Sequence, residues 1–251
     1  MSKKRVSLTL EESLVDRLDE ESRRKGLNRS RMVGDILEKH FDSRGLDTAV
    51  VLCGDPDLKS LELYNGRSIL STVIERLSGQ GIRRCILLTG RNRERIEQEF
   101  GSCHEGLELE YFEDEDVSGT AGALETIEAE LNSPFVVVNG HVVAEVDLDE
   151  MYRFHTDNDS PATMALTTVD DPSSYGVAQL KGKNIVGFEE KPEPGEEPSR
   201  LINAGTYILE PAIFESLDTD DLESVFEAFA SEGRLLGYIY GGEWHDASQP
   251  E

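Results

Sequence analysis

Three side chains with hydrogen-bonding groups suited to the base edges of DNA alternate with apolar residues near the N-terminus. In the segment Lys4–Leu10, the side chains of Arg5, Ser7 and Thr9 fall on one face of an extended chain, and apolar side chains fall on the other. An arginine and two hydroxyl groups in a row are compatible with the major groove. The alternative is a polar strand face that is merely solvated.

Two helices must position this strand. The first is predicted after Glu11-Glu12-Ser13 and ends at Lys25-Gly26, a basic residue followed by glycine. Asn28 is the predicted N-cap of the second. A single strand has no partner inside so short a unit, so it must pair with the same strand of a second chain. The sequence therefore predicts an obligate dimer.

Residues 3–42 resemble the ribbon-helix-helix DNA-binding family, of the CopG, Arc and MetJ type, through the stretches RVSLTLEESLVDRL and GLNRSRMV. The resemblance implies that a two-stranded ribbon enters the major groove of double-stranded DNA. Carried over by position, the base-reading residues are Arg5, Ser7 and Thr9. The residues that would hold backbone phosphate at the start of the second helix are Asn28, Arg29 and Ser30. The alternative is a dimerisation ribbon with no DNA function.

From Asp47 onward, short apolar runs alternate with helical patterns, which predicts an α/β fold with a mostly parallel sheet. Runs such as VVL, ILL and FVVV are typical of parallel strands buried on both faces. The predicted strands are Thr48–Cys53, Arg84–Thr89, Leu107–Phe112, Phe135–Asn139, Ala162–Val169, Gly176–Leu180, Ile185–Glu189 and Ala204–Leu209. The predicted helices are Ser68–Leu77, Glu94–Phe100 and Ala121–Leu131.

Short motifs in this body stand in the order found in sugar-phosphate nucleotidyltransferases, which join a sugar 1-phosphate to a nucleoside triphosphate. They are SGTAGAL at 118–124, VNGH at 138–141, SYGV at 174–177, EKP at 190–192, NAG at 203–205 and WHD at 244–246. From Ala49 onward the chain resembles that family. The resemblance implies a Rossmann-like, mostly parallel mixed sheet. It also implies ligand-binding roles for Gly119, Thr120, Gly176, Glu190, Lys191 and Asn203.

The catalytic loop of that family has no counterpart in this chain. A Gly-rich loop with an arginine follows the family's first strand, whereas Gly54–Leu58 reads GDPDL. We expect Asp55 and Asp57 to lie near the position of a triphosphate, where carboxylates repel it. Lys59 falls in register with a family lysine, so we expect it to face the cleft and bind the ligand, and it is the one residual catalytic candidate.

The metal-binding positions are also altered. His141 stands where the family has the first of two magnesium-binding aspartates, and Asp246 stands where it has the second. Imidazole is a poor ligand for Mg²⁺, which prefers hard oxygen donors. Two interpretations stay open: His141 marks the loss of magnesium, or His141 and Asp246 together recruit a softer metal such as zinc or manganese. We expect no cofactor, and Mg²⁺ only if the body is an active enzyme.

Charge is distributed unevenly along the 251 residues, whose net charge is −26. Residues 1–45 carry 11 Lys and Arg and 9 Asp and Glu, whereas residues 46–251 carry 14 and 42. Residues 1–45 are therefore the part suited to binding DNA phosphates. The acidic residues 46–251 disfavour binding to an anionic membrane. So acidic a surface is also typical of proteins that stay hydrated in concentrated salt, which favours a halophilic source.

Localisation follows from what the sequence lacks. No apolar run approaches the roughly 18 residues of a membrane span, and the N-terminus has no apolar stretch typical of a signal peptide. The cysteines, Cys53, Cys85 and Cys103, are odd in number and have no CxxC spacing, which indicates reduced thiols. We therefore expect a cytoplasmic protein.

These features predict a DNA-binding and dimerisation domain over residues 1–45 and a nucleotidyltransferase-like domain over residues 46–251. Because binding residues are kept while reaction residues are lost, we predict a dimeric transcriptional regulator. Its degenerate body would sense a sugar phosphate, a nucleotide sugar or a nucleotide. One alternative is an active sugar-1-phosphate nucleotidyltransferase with an altered site, dimerised by its head. Another is an adaptor whose binding residues persist as folding elements.

Overall fold

The computed structural model describes residues 8–34, 45–113 and 119–248. The chain divides into two compact units, Met1–Arg44 and Gly45–Glu251. The head is the first unit and the body is the second.

The head contains the two predicted helices. Helix α1 spans Glu12–Arg24, and the chain leaves it through Lys25 and through Gly26, whose φ is +65°. A second helix, α2, occupies residues 29–34 of the described segment. The side-chain Oδ1 of Asn28 accepts a hydrogen bond of 2.9 Å from the N–H of Arg31, which confirms the predicted N-cap.

The apolar residues of the head are only partly covered within one chain. Leu18 and Met32 are buried, whereas Leu8, Leu10 and Leu14 are 59%, 39% and 46% exposed. Residues 4–7 of the predicted strand lie outside the described residues, and residues 8–10 are not paired into a strand. The predicted pairing with a second chain is not tested by a single chain, so the ribbon stays a prediction.

The body is an α/β unit. Its strands are β1 (Thr48–Leu52), β2 (Leu63–Tyr64), β3 (Arg67–Ser68), β4 (Arg84–Leu88), β5 (Cys103–His104), β6 (Leu107–Phe112), β7 (Phe135–Asn139), β8 (Val142–Ala144), β9 (Ala162–Thr168), β10 (Gly176–Lys181), β11 (Asn184–Glu190), β12 (Leu201–Leu209), β13 (Leu235–Ile239) and β14 (Trp244–Asp246). Its helices are α3 (Ile69–Gly79), α4 (Arg93–Phe100), α5 (Gly119–Glu125), α6 (Leu148–Asn158) and α7 (Leu222–Ser231).

One large mixed sheet organises the body. Its ten strands run in the order β10-β11-β13-β9-β12-β7-β1-β4-β6-β5. The pairs β7–β1, β1–β4 and β4–β6 are parallel, as is β9–β13. Strand β12 runs antiparallel to β7 and to β9, so the second half of the chain supplies most of the antiparallel part. The predicted mixed sheet is confirmed, and its parallel part is concentrated around β1.

Helices cover the sheet on both faces. Val51 and Leu87 pack in one apolar cluster with residues of α3, α4 and α6. Val50 and Ile86 point the other way and pack with residues of α5 and α7. Strands β1 and β4 are therefore buried on both faces, which explains their continuous apolar sequence.

The predicted elements differ from the structure in few places. Strands Leu107–Phe112 and Phe135–Asn139 match residue for residue. The predicted helix Ala121–Leu131 is wrong in extent, because α5 ends at Glu125 and a 3₁₀ turn follows. Helices α6 and α7 were not predicted. No helix within the described ranges is long and apolar enough to cross a membrane.

Candidate functional site

A cleft of about 870 Å³ opens at the carboxyl ends of β1, β4 and β7. Ligands of open α/β sheets bind at this edge, where the loops after neighbouring parallel strands meet. The predicted residues that line the cleft are Gly119, Thr120, His141, Gly176, Glu190, Lys191, Asn203 and Asp246. The sequence motifs were far apart in the chain, and the fold brings them into one cavity.

Lys59 is placed differently. It is not among the described residues that line the cleft, which corrects the expectation that its side chain faces the ligand. Its ammonium Nζ donates instead to the backbone carbonyl of Ser248, at 3.3 Å, and Ser248 is a lining residue. The cause is the local backbone. Leu58 has a left-handed conformation, with φ +55°, and a short 3₁₀ turn begins at Lys59, the next residue.

The turn after β1 is closed on itself by Asp55. Its carboxylate accepts the N–H of Asp57 at 3.0 Å and that of Lys59 at 2.9 Å, and its carbonyl accepts the N–H of Leu58 at 3.2 Å. Pro56 has no N–H. A phosphate-binding loop presents backbone N–H groups to the ligand, whereas most of those in this turn are bound by Asp55. Asp57 is exposed and does not line the cleft, so only Asp55 of the two aspartates lies where we expected.

The two metal positions are brought together by the pairing of β8 with β14. His141 Nε2 lies 3.8 Å from Asp246 Oδ1, and the same oxygen accepts the N–H of Ser248 at 2.7 Å. Among the described residues, no third His, Cys, Asp or Glu joins them in a metal-binding group. One imidazole and one partly occupied carboxylate do not fit the octahedral oxygen shell of Mg²⁺. Zinc sites normally have three or four protein ligands, so this pair also falls short of a zinc site.

The GTAG turn is locked to the start of α7. The hydroxyl Oγ1 of Thr120 accepts the N–H of Leu222 at 2.9 Å, and the N–H of Ala121 donates to the carbonyl of Asp220 at 3.1 Å. Gly119 has φ +72°, and a Cβ there would lie 2.0 Å from the carbonyl oxygen of Asp220. Thr120 therefore positions a helix as well as lining the cleft.

Gly119→Ala is expected to destabilise the body strongly. It forces a non-glycine residue into the left-handed region, which costs on the order of 1–3 kcal/mol, and it also displaces the backbone of Asp220. We expect the melting temperature to fall by roughly 5–10 °C. Gly182→Ala is the matched control, because Gly182 has φ +65° and open space around it. Equal losses in scanning calorimetry would contradict a role for the close approach.

Strands β10 and β11 supply another wall of the cleft. Gly176 pairs with Glu190 across the two strands, and a Cβ at Gly176 would lie 2.4 Å from Phe188 Cζ and 2.8 Å from Glu190 Oε2. Lys191 follows with a left-handed backbone, φ +48°, and its N–H donates to the carbonyl of Tyr175 at 3.0 Å. Its ammonium lies 3.5 Å from Glu190 Oε1. A strained lysine held at a cleft is typical of a functional position.

The side-chain amide of Asn203 makes hydrogen bonds to two residues nearby in the sequence. Its side-chain Oδ1 accepts the N–H of Gly205 at 2.9 Å, and its Nδ2 donates to the hydroxyl of the buried Tyr207 at 2.7 Å. Burial raises the pKa of Tyr207 far above its usual value, which keeps the phenol neutral. An amide can make further hydrogen bonds, so Asn203 retains limited capacity toward a ligand.

Two glutamates that line the cleft, Glu190 and Glu223, are disfavoured in their ionised form by burial. Burial raises the pKa of Glu190, and the neighbouring Lys191 opposes that shift. Burial also raises the pKa of Glu223, and the charge of Glu190 raises it further. Glu223 is a site residue that the sequence reasoning missed, although its place in the first turn of an acidic-capped helix is visible in the stretch DDLES.

Glu223→Gln is expected to raise the melting temperature at pH 7. A carboxyl whose pKa is raised on folding destabilises the folded state when ionised, so the gain appears above the ordinary pKa of 4.5. Below that pH both folded and unfolded states are protonated, and the gain should vanish. Glu125→Gln, on the exposed face of α5, is the control and should change nothing. A gain that is the same at pH 3.5 and pH 7 would contradict the electrostatic explanation.

Arg91 is a second charged lining residue that the sequence analysis did not name. It lies in the 3₁₀ turn Gly90–Asn92, directly after β4, and its side chain is exposed at the cleft. The stretch GRNRER shows arginines, but only the adjacency of β4 and β1 reveals which of them reaches the cleft.

The predicted DNA-binding residues of the head are exposed where they are described. Arg5 and Ser7 lie outside the described residues, whereas Thr9, Asn28, Arg29 and Ser30 are described. Asn28 is exposed and caps α2, and Thr9 and Ser30 are exposed as well. Arg29 is held by Asp19 through a two-pronged ion pair of 2.7 and 2.5 Å. This pairing raises the pKa of Arg29 and lowers that of Asp19.

Comparison with known families decides the identity of both units. The model of the nucleotidyl transferase family matches residues 57–250. The chain belongs to the nucleotidyl transferase family. A second family model, the ribbon-helix-helix proteins of the copG family, matches residues 4–40. Both resemblances are therefore confirmed. The match to the nucleotidyl transferase model leaves β1 and Cys53–Pro56 outside its range.

Several curated relatives of the nucleotidyl transferase body are named as mannose-1-phosphate guanylyltransferases. A probable one from Arabidopsis thaliana is 29% identical over 205 residues, covering 77% of this chain and 61% of the relative. The catalytic subunit beta of Danio rerio is 31% identical and is covered to 56%. One from Mycobacterium tuberculosis is 30% identical, covering 74% of this chain and 54% of the relative. The chain thus spans little more than half the length of these relatives.

Solved structures share the fold of the nucleotidyl transferase body. A putative glucose-1-phosphate thymidylyltransferase from Bacillus anthracis has a TM-score of 0.72 at 23% identity, covering 80% of this chain and 89% of that one. HddC from Yersinia pseudotuberculosis, complexed with GMP-PN, has a TM-score of 0.69 at 22% identity, covering 82% and 95%. At such identities the likeness establishes the fold alone.

Proposed function

We propose that the protein is a dimeric DNA-binding transcriptional regulator whose nucleotidyl transferase body is a receptor for a phosphate-bearing ligand. Residues 1–45 form the DNA-binding and dimerisation domain, and residues 46–251 form the receptor. The ligand class is a sugar phosphate, a nucleotide sugar or a nucleotide. The receptor binds this ligand without converting it.

The observation that carries this proposal is the closed turn after β1. Nucleotidyl transfer depends on positioning the triphosphate and stabilising its charge. In this chain Asp55 accepts the N–H groups of Asp57, Leu58 and Lys59, so those donors are not free to bind phosphate. The pair of His141 and Asp246 does not fit magnesium. Neither source of transition-state stabilisation is available, and we derive no catalytic step for the cleft.

Retention of the cleft supports a receptor over an inert scaffold. A cavity of about 870 Å³ is within the size range of small-molecule sites, and it keeps polar groups on several walls. A body that served only as a scaffold has no need of the strained backbone at Lys191. The names of the curated relatives point to a guanine nucleotide and a mannose phosphate as the first ligands to test.

The head supports dimerisation and DNA binding. Leu8, Leu10 and Leu14 are exposed within a single chain, and a second copy of the same ribbon and helices is the partner that a ribbon-helix-helix unit requires. The DNA-facing residues we propose remain Arg5, Ser7 and Thr9 on the ribbon and Asn28, Arg29 and Ser30 at α2. The exposed ion pair between Arg29 and Asp19 would have to open or share the guanidinium with a phosphate.

Regulation then follows from linkage. A ligand changes the DNA affinity only if it binds the DNA-competent and DNA-incompetent dimers with different affinity. The same free-energy difference must appear as a change in ligand affinity when DNA is bound.

An active transferase is the second candidate, because the curated relatives carry that activity in their names. The test incubates the full chain with GTP, mannose 1-phosphate and either MgCl₂ or MnCl₂, and measures pyrophosphate release. Calorimetry with the same compounds and with GDP-mannose measures binding. We expect binding without release above the blank. Turnover of about 1 s⁻¹ or faster would establish an active transferase instead. If none of these compounds binds, the inert scaffold is favoured.

A further inference from the structure

We propose that Arg91, in the turn after β4, binds a phosphate of the ligand in addition to the contact expected from Lys191. The proposal rests on the proposed function, namely that the cleft receives a phosphate-bearing ligand. It assigns the phosphate to the β4 side of the cleft, since the turn after β1 is closed by Asp55.

The position of Arg91 is fixed by the sheet. Strands β1 and β4 are parallel neighbours, with Leu52 paired to Leu88, so the turns that follow them emerge side by side. Arg91 lines the cleft together with Gly54 and Asp55 from the neighbouring turn. Arg91 therefore lines the cavity beside the segment whose N–H groups are bound by Asp55.

Hydrogen bonds of Thr89 and Asn92, the residues that flank Gly90 and Arg91, hold the turn in place. The N–H and the hydroxyl of Thr89 both donate to the carbonyl of Phe112, at 3.0 Å each, and the N–H of Asn92 donates to the carbonyl of Thr89 at 3.0 Å. The side-chain Nδ2 of Asn92 donates to the carbonyl of Asp55 at 2.9 Å, which joins the two turns. Because the turn is already held, ligand binding has to order only the arginine side chain and not the backbone that carries it.

Close packing of two glycines reinforces this junction. Gly90 has φ +53°, and a Cβ there would lie 3.0 Å from the carbonyl oxygen of Gly54 and 3.1 Å from its Cα. The backbones of the two turns are thus in direct contact, and the next residue, Arg91, lines the cleft beside this junction.

The charges of the cleft single out Arg91. The lysine and arginine side chains among its described lining residues are Arg91 and Lys191, against the carboxylates of Asp55, Glu190, Glu223 and Asp246. Lys191 is paired with Glu190 at 3.5 Å. Arg91 makes no hydrogen bond or ion pair with any residue that the structure describes. A free guanidinium presents several N–H donors in a plane and binds phosphate oxygens in pairs.

The test compares ligands with and without phosphate on the full chain. GDP against guanosine, and mannose 1-phosphate against mannose, are titrated calorimetrically into the wild type, Arg91→Gln and Arg91→Lys. Arg95→Gln is the matched control, because Arg95 is exposed on α4 and does not line the cleft. Circular dichroism confirms that each variant is folded.

For whichever phosphate compound the wild type binds, Arg91→Gln should weaken binding by roughly 10- to 100-fold. Arg91→Lys should recover part of that loss, Arg95→Gln should stay within about twofold of the wild type, and the phosphate-free compounds should be unaffected. An unchanged affinity in Arg91→Gln, or equal losses with and without phosphate, would overturn the role of Arg91 while leaving the receptor in place. Absence of binding to the wild type would overturn the proposed function and this inference with it.

Discussion

Replacing Leu10 by aspartate is expected to convert the protein from a dimer into a monomer and to abolish specific DNA binding. Leu10 belongs to the apolar face with Leu8 and Leu14 that is exposed in a single chain. A carboxylate at a buried interface loses its hydration without gaining a partner, which costs several kcal/mol. Because the DNA-reading ribbon requires two chains, the affinity for a selected duplex should fall by more than about 100-fold.

Sedimentation equilibrium gives the oligomeric state, and fluorescence anisotropy gives the affinity for a duplex selected by the wild type from a random pool. Leu63→Asp is the matched control, since Leu63 is an exposed leucine, 76% accessible, on β2 of the body. It should remain dimeric and bind DNA normally. A Leu10→Asp protein that still sediments as a dimer would contradict dimerisation through the ribbon.

Lys191→Ala is expected to weaken binding of the phosphate-bearing ligand by roughly 10- to 100-fold, because a charge-assisted hydrogen bond is lost. The same substitution frees the carboxylate of Glu190, which then repels the ligand's phosphate. Dimerisation should be unchanged. Calorimetry on the full chain measures the affinity.

Lys181→Ala, at the exposed end of β10, is the control for the loss of one positive charge. Lys191→Gln tests the charge with a longer side chain at the same left-handed position and should behave like Lys191→Ala. If both Lys191 variants bind as tightly as the wild type, the retained EKP motif is a folding element and not a binding element.

Eight strands of the body were predictable because most of them are short apolar runs bounded by polar residues, whereas the remaining six were not predicted: β2, β3, β5, β8, β13 and β14. Phe135–Asn139 and Leu107–Phe112 were located to the residue. Helices α6 and α7 were not predicted, although both carry apolar residues at helical spacing and both begin after an aspartate N-cap, Asp147 and Asp221. The end of α5 at Glu125 was also missed, because a weak helical pattern continues past it.

Many residues of the candidate site could be predicted from the sequence, but the contacts between them could not. The motifs named most of the lining residues, because a family resemblance carries positions along the chain. The family resemblance does not predict hydrogen bonds between segments that are far apart in the sequence. Thr120 and Leu222 are 102 positions apart, yet their hydrogen bond fixes the start of two helices. The capping role of Asp55 and the reach of Arg91 also depend on which turns the sheet sets side by side.

We predict that one chain couples DNA binding to the binding of a phosphate-bearing ligand. The most direct measurement is the anisotropy of a selected duplex titrated with the wild-type dimer, at one fixed salt concentration, with and without saturating GDP-mannose, mannose 1-phosphate or GTP. Salt must be held constant because DNA affinity depends steeply on it. We predict that at least one of these ligands shifts the DNA dissociation constant by about 5- to 150-fold. A DNA dissociation constant unchanged by a ligand that calorimetry shows to be bound would contradict the account.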